Sequence, residues 1–188
     1  MALLASTATG LLLVVSVAFS ARAQEMEIPV AVQLPLFLKV MSFDRQLRAR
    51  AGGSLVIAGG FQSGYRASSD AKDEALRSIA GIRDVAGIPL RTVTIDLDHE
   101  ELGAALSDSR ATLLYVAPMR GVDVGDLVRA TRAAHVTTLT GVMRYVDLGC
   151  AVGLRLRGDR PSIVVNLAAA RLEGAEFAAE LLRLVQIL

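Results

Sequence analysis

Between Gly59 and Arg66 the chain reads Gly-Gly-Phe-Gln-Ser-Gly-Tyr-Arg, a glycine-bearing turn set between a strand-like run and a helical one. In open α/β sheets this is the place where backbone amides and a helix amino terminus receive phosphate or another anion. Gly59 and Gly64 supply the frame of a phosphate-binding loop, but Tyr65-Arg66 stands where Lys followed by Ser or Thr is required. Without a lysine for the terminal phosphates and a hydroxyl for magnesium, the motif does not read as a nucleotide hydrolase. Ser63 has Phe61 and Tyr65 two residues to either side where a nucleophile elbow needs glycines. An ordinary turn remains, or a small-anion or ligand site assisted by Arg66.

Other candidates for chemistry are sparse. The two histidines, His99 and His135, are too few for a metal site, and His99-Glu100-Glu101 lacks a second histidine four residues on. Acids in a first helical turn explain that cluster. Asp96 and Asp98 fall at the carboxyl end of a strand, the usual catalytic edge, yet no nucleophile or base accompanies them, so they read as turn and cap residues. Two further loops, Pro118-Met119-Arg120-Gly121 and Gly141-Val142-Met143-Arg144-Tyr145, each present a Met and an Arg, with Tyr145 in the second. Such residues suit an interaction surface, because they bury area while staying adaptable; core filling is the alternative for the two methionines. The residues taken as a candidate interaction or ligand surface are therefore Gly60, Tyr65, Arg66, Met119, Arg120, Met143, Arg144 and Tyr145. No catalytic residue, metal ligand or cofactor-binding residue is assigned, and no cofactor is expected.

The elements that must position these loops follow from hydrophobic spacing. Val30 to Arg50 predicts an amphipathic helix, stopped by Gly52-Gly53. Its Leu34, Leu36, Phe37 and Leu38 exceed one buried stripe and imply a second covered face, within the domain or in a homodimer. Strands are predicted over Ser54–Ala58, Arg91–Leu97, Ala111–Ala117 and His135–Leu139. Between them run helices over Ser69–Ala80 with Ser68 or Ser69 as cap, from an Asp98/Glu101 capping box through Leu106, and from Asp123 to Ala134. Strands separated by helices of about ten residues imply right-handed crossovers and a largely parallel sheet. After a short helical piece at Val142–Leu148, the strands Ala151–Arg157 and Ser162–Leu167 are too close in sequence for anything but antiparallel pairing. Asn166 reads as the cap of the turn that follows. A closing helix is predicted over Glu176–Leu188. The fold class is thus α/β: a mixed, largely parallel sheet flanked by helices, ending in an antiparallel hairpin and a C-terminal helix.

Composition bounds the function. With 53% hydrophobic residues in 188, a sizeable core is available. Basic and acidic residues number 20 and 19, a balance that argues against a nucleic-acid binder, which needs a basic face to displace counterions from phosphates. Residues 11–19 form an apolar run of signal-peptide length, followed by Ala21-Arg22-Ala23 in the small-x-small form that a signal peptidase cuts. The expected organisation is a leader over residues 1–23 and one α/β domain over residues 24–188, exported and released by cleavage; an uncleaved N-terminal anchor is the alternative. Cys150 is the only cysteine. It is either a small buried hydrophobe or a thiol free to bridge to another chain.

Taken together, several segments resemble the YfiR/HmsC family of exported α/β proteins. They are the opening Val30-Ala31-Val32-Gln33 to Lys39-Val40, the strand Leu113-Leu114-Tyr115-Val116, and Val136-Thr137-Thr138-Leu139. Above all, Gly153-Leu154-Arg155-Leu156 and Pro161 through Arg171 match the late strands and their Asn-Leu-x-x-x-Arg core, with Phe177 to Leu184 as the closing segment. The resemblance implies a non-catalytic periplasmic regulator that binds and restrains an inner-membrane signalling protein, a diguanylate cyclase or a sensor kinase, so lowering cyclic-di-GMP and biofilm formation. Better-known members carry paired cysteines, and here Cys150 stands alone. A different class of function stays open from the residues themselves: a small-ligand receptor or an enzyme using the crevice near Gly60, Arg66, Arg120 and Arg144.

Overall fold

The computed structural model describes residues 26–188. The expected leader and its cleavage point lie outside them. Among the described residues the elements run α1 (Val30–Met41), α2 (Leu47–Ala51), β1 (Leu55–Phe61), α3 (Arg66–Ser78), β2 (Asp84–Val85), β3 (Ile88–Asp96), α4 (Leu102–Ser109), β4 (Leu113–Val116) and α5 (Val124–Ala133). They continue with β5 (Thr137–Thr140), α6 (Met143–Asp147), β6 (Val152–Arg157), β7 (Arg160–Val165), α7 (Leu167–Leu172), α8 (Ala179–Leu182) and β8 (Gln186–Ile187). One sheet holds all eight strands in the order β2-β3-β1-β4-β5-β6-β7-β8. The run β3-β1-β4-β5-β6 is parallel, β6 and β7 form the antiparallel hairpin, and β8 returns parallel to β7. The mixed, largely parallel sheet predicted from the sequence is therefore the observed one.

Strands buried on both faces explain the unbroken apolar runs. Leu55, Ile57, Leu113, Tyr115 and Leu139 point to one face, where α1 supplies Leu34, Phe37, Leu38 and Met41 and α3 supplies Ala71 and Ala75. Ala58, Leu114 and Val116 point to the other, against Leu106 of α4 and Leu127 and Val128 of α5. The surplus apolar residues of α1 are covered inside this domain: Leu34, Phe37 and Leu38 are all buried and Leu36 is half-buried. No second copy of the chain is needed to account for them.

Several sequence boundaries move. The first helix ends at Met41, and a turn separates it from α2. β1 extends through Gly59 and Gly60 to Phe61, so the loop proper begins at Gln62. Helix α3 starts at Arg66 with Tyr65 as its N-cap and no side-chain cap; Ser68 instead accepts the Gln62 amide through its hydroxyl at 3.0 Å. Asp98 does not cap α4: Glu101 does, accepting the Gly103 and Ala104 amides at 2.9 and 2.6 Å. Those two bonds hold the Glu101 carboxyl below its usual range. His135 does not open a strand. It is an exposed turn residue with φ of 53°, and β5 begins at Thr137.

The largest correction is at the end of the chain. Glu176–Leu188 is not a single helix: α8 occupies only Ala179–Leu182, and Gln186–Ile187 add a last strand beside β7. The helical spacing of Phe177, Leu181 and Leu182 is used, since Phe177 and Leu181 are buried, but Leu184 is 79% exposed. What overrides helix propensity is pairing with the start of the domain. Phe177 bridges Asp44, the Arg45 amide donates to the Glu176 carbonyl at 2.9 Å, and the Ala178 amide donates to the Phe43 carbonyl at 3.0 Å.

Candidate functional site

The loops after β1, β3, β4 and β5 gather at one end of the sheet, where ligands sit in open α/β folds. Here the chain fills much of that end itself. Gln62, nearly buried, donates from its amide nitrogen to Asp98 Oδ1 at 2.9 Å and to the Arg120 carbonyl at 3.1 Å; its Oε1 accepts the Arg120 amide at 2.7 Å. One side chain thus ties three loops together. Asp98 Oδ2 also accepts the Gly64 amide at 2.8 Å, and Asp96 Oδ1 accepts the amides of Ser63 and Asp98 at 3.1 Å each. Partial burial would raise the Asp96 carboxyl, but the bonds from Ser63 and Asp98 and the neighbouring His99 outweigh it and leave it below the usual range. These acids serve as acceptors for loop amides, and the second Asp96 oxygen faces His99 Nε2 at 3.9 Å.

The candidate surface residues separate into two groups. Tyr65, Arg66, Arg120, Met143 and Arg144 are wholly or partly exposed. The Arg120 guanidinium lies over the Tyr65 ring at 4.3 Å, and Arg66 pairs loosely with Asp70 at 3.5 Å. Met119 and Tyr145 belong to the core: they are 3% and 1% exposed, and the Met119 amide donates to the Tyr145 hydroxyl at 2.8 Å. Gly60 is a buried strand residue whose missing side chain makes room for Leu114, which a Cβ would meet at 3.1 Å. Those three cannot contribute side chains to a surface. Their packing answers an ordinary demand, since a short loop between β4 and α5 needs an anchor and the phenol supplies a donor and an acceptor.

Three buried polar arrangements had no sequence signal. Gln33, fully buried on α1, donates to the Ile28 carbonyl at 2.8 Å and accepts the Tyr115 hydroxyl at 2.9 Å. Its amide lies where a Cβ on Gly141 would come, at 2.3 Å, so Gly141 is required by close approach. Burial pushes the Tyr115 phenol above its ordinary range. On the opposite end, Asp44 and Arg50 form an ion pair at 2.6 Å, and Arg50 also reaches the His135 carbonyl at 3.0 Å. Third, Glu173 is fully buried; its carboxylate accepts the Thr138 amide at 2.8 Å, the Thr138 hydroxyl at 2.8 Å and the Thr131 hydroxyl at 3.3 Å. Burial raises its carboxyl to about 7, against the pull of those hydrogen bonds and of Arg132. Buried near it, Cys150 is pushed up to about 12 by burial and by Glu173. Its thiol is the small buried hydrophobe of the two sequence alternatives, closed to bridging with another chain while the fold is intact.

Among the described residues no three His, Cys, Asp or Glu side chains stand where they could hold a metal ion, and no helix is long and apolar enough to cross a membrane. A family model described as YfiR/HmsC-like matches residues 65–186. The chain belongs to that family. The matched span runs from the loop after β1 to β8 and takes in all the candidate surface residues except Gly60. No curated protein matches the sequence.

Among solved structures, the fold is similar to an ABC domain in complex with L-Trp from Streptococcus pneumoniae, with 13% identity, a TM-score of 0.56, and coverage of 85% of this chain and 60% of that one. It is similar also to the ligand-free, open form of a substrate-binding protein with adhesive properties from Clostridium difficile, at 13% identity and a TM-score of 0.53, covering 76% and 57% of the two chains. A conserved domain protein from Vibrio cholerae gives 14% identity, a TM-score of 0.56, and coverage of 85% and 60%. This chain therefore spans at most 60% of the length of these three structures. At such identities the likeness establishes a shared fold.

Proposed function

We propose that this protein is an exported regulator that binds the periplasmic part of an inner-membrane signalling protein, a diguanylate cyclase or a sensor kinase, and restrains it without catalysing a reaction. Membership of the YfiR/HmsC-like family over residues 65–186 carries the reading. Two features of the site support it. The acids at the carboxyl ends of the strands, Asp96 and Asp98, are engaged with loop amides, a positioning role. The exposed residues there, Arg66, Arg120 and Arg144 with the partly covered Tyr65 and Met143, are of the kinds that protein interfaces favour.

The test is photo-crosslinking in intact cells from positions 66, 120 and 144. A membrane protein with a periplasmic domain should be captured from at least one position, and deletion of the chain should raise that protein's output. Recovery of no membrane protein, with the chain confirmed in the periplasm, would overturn the reading.

A second reading, a small-ligand receptor at the same crevice, draws on the solved neighbours that are described as an L-Trp complex and a substrate-binding protein. Against it, Gln62 spans the crevice and Tyr65 covers the Arg120 guanidinium. Thermal stabilisation by a metabolite that Arg66→Ala abolishes would favour it.

A further inference from the structure

At the opposite end of the sheet, beneath the amino ends of the strands, two adjoining concavities share Arg50 and Arg110. One, of about 320 Å³, is walled by Arg91 and Arg110 and floored by the backbone of Gly52 and Gly53, where a Cβ would meet nothing within 4 Å. The other, of about 670 Å³, runs between α4 and α5 over Ala111, Ala130 and Ala133.

The charges are arranged unevenly. Among the described residues neither Arg91 nor Arg110 has a carboxylate within 4.0 Å, whereas Arg50 is balanced by Asp44. Glu101, the one acid on the wall of the larger groove, turns its carboxylate to the Gly103 and Ala104 amides. Arg110 also occupies a left-handed position, φ 54°, at the C-cap of α4, where Gly or Asn would cost less. The smaller concavity is lined by Arg50, Arg91 and Arg110 with no acid among its walls, and Arg110 and Arg50 also border the alanine-lined trough beside it. Guanidinium recognises carboxylate and phosphate oxygens in a planar, two-point manner, and small side chains between two helices leave room for a flat apolar body.

We propose that this groove binds a small organic oxyanion, with its phosphate or carboxylate on Arg91 and Arg110 and its apolar body along Ala111, Ala130 and Ala133. The site lies at the far end of the sheet from the crevice and does not depend on the identity of any protein partner.

Titration of the full chain with phenyl phosphate, phenylacetate, inorganic phosphate and benzyl alcohol, followed by amide chemical shifts, tests the proposal. At least one of the two aromatic anions should bind saturably and shift Gly52, Gly53 and Ala111, with inorganic phosphate at least five-fold weaker and benzyl alcohol without effect. Arg110→Gly, which removes the side chain while suiting the left-handed backbone, should weaken the aromatic anion at least five-fold, as should Arg91→Ala. Ala133→Leu, which fills the trough, should weaken the aromatic anion and spare inorganic phosphate. No saturable binding of either aromatic anion, affinity unchanged in Arg91→Ala/Arg110→Gly, or inorganic phosphate equal to the aromatic anions would each overturn it.

Discussion

The Glu173 carboxylate accepts the Thr138 amide at 2.8 Å on the side of β5 that faces β6, one residue before β6 begins to pair at Leu139. A side chain from the C-cap of α7 thus takes the place of a missing strand residue, and the Thr131 and Thr138 hydroxyls complete its shell. Unfolded, this carboxyl ionises near 4.5; folded, burial holds its proton up to about 7. Between those values the folded chain keeps a proton that the unfolded chain has released. Stability therefore falls as pH rises across that window and levels off above it, by on the order of 3 kcal/mol from this group. Denaturant midpoints measured from pH 4.5 to 8 should show the decline, and Glu173→Gln, which imitates the protonated form, should flatten it. An unchanged slope in that variant would sink the assignment.

Placing a methyl group at Gly141 sets its carbon 2.3 Å from the Gln33 amide. Gln33 is fully buried, so relief requires moving its side chain off Tyr115. Gly141→Ala should cost about 1–3 kcal/mol and should raise the accessibility of Tyr115 to solvent, read as a lowered phenol pKa in an ultraviolet titration. Equal stability of variant and parent would contradict the close approach.

Loss of Asp44 removes the countercharge of Arg50 and leaves the Gln46 and Glu176 amides without their acceptor. Because the carboxylate has no exposed surface, Asp44→Ala should destabilise by roughly 3–5 kcal/mol. The effect should be felt first at a distance in sequence: hydrogen exchange at Arg45 and Ala178 should accelerate more than at the core amides of β1.

Truncating Gln62 to Ala frees three loops at once. About 1–3 kcal/mol is expected from the groups left unsatisfied, with faster exchange of the Arg120 and Gly64 amides. Arg120 should then lose its registry over Tyr65, so crosslinking to a partner from position 120 should change while that from position 144 persists.

The Cys150 thiol, with its pKa raised to about 12 and no exposed surface, should react with a thiol reagent only as fast as the chain opens. Modification in native buffer should be orders of magnitude slower than in denaturant, and no covalent dimer should form on mild oxidation. Rapid native labelling would contradict the burial.

Hydrophobic spacing made the sheet legible because β1 and β4 carry apolar residues on both faces and α5 has a clear inner stripe. Asp123 and Asn166 were readable as caps for the same reason that they work: their side chains reach the Gly125 and Ala169 amides, a local bond that sequence distance fixes. The closing segment was not readable. Phe177 and Leu181 keep a helical spacing, but partners more than 130 positions earlier, at Phe43 and Asp44, decide its path. Polar side chains that serve as ladder substitutes or loop ties, such as Glu173, Gln62 and Gln33, have the composition of surface residues. Only the three-dimensional meeting of their elements reveals them. Met119 and Tyr145 were read as candidate surface because Met, Arg and Tyr together suit an interface, with core filling the alternative for Met119; both are in the core, where the Met119 amide donates to the Tyr145 hydroxyl.

The antiparallel bridge from Asp44 to Phe177 joins stretches more than 130 positions apart in the chain. Everything from β1 to β5 can assemble as it emerges, since each crossover contacts its predecessor. The clasp must wait, because closing so long a loop has to follow the chain that supplies its second half. This seam should consequently be the last part of the molecule to set and the first a protease enters, so a partner that gripped it would recognise finished copies alone.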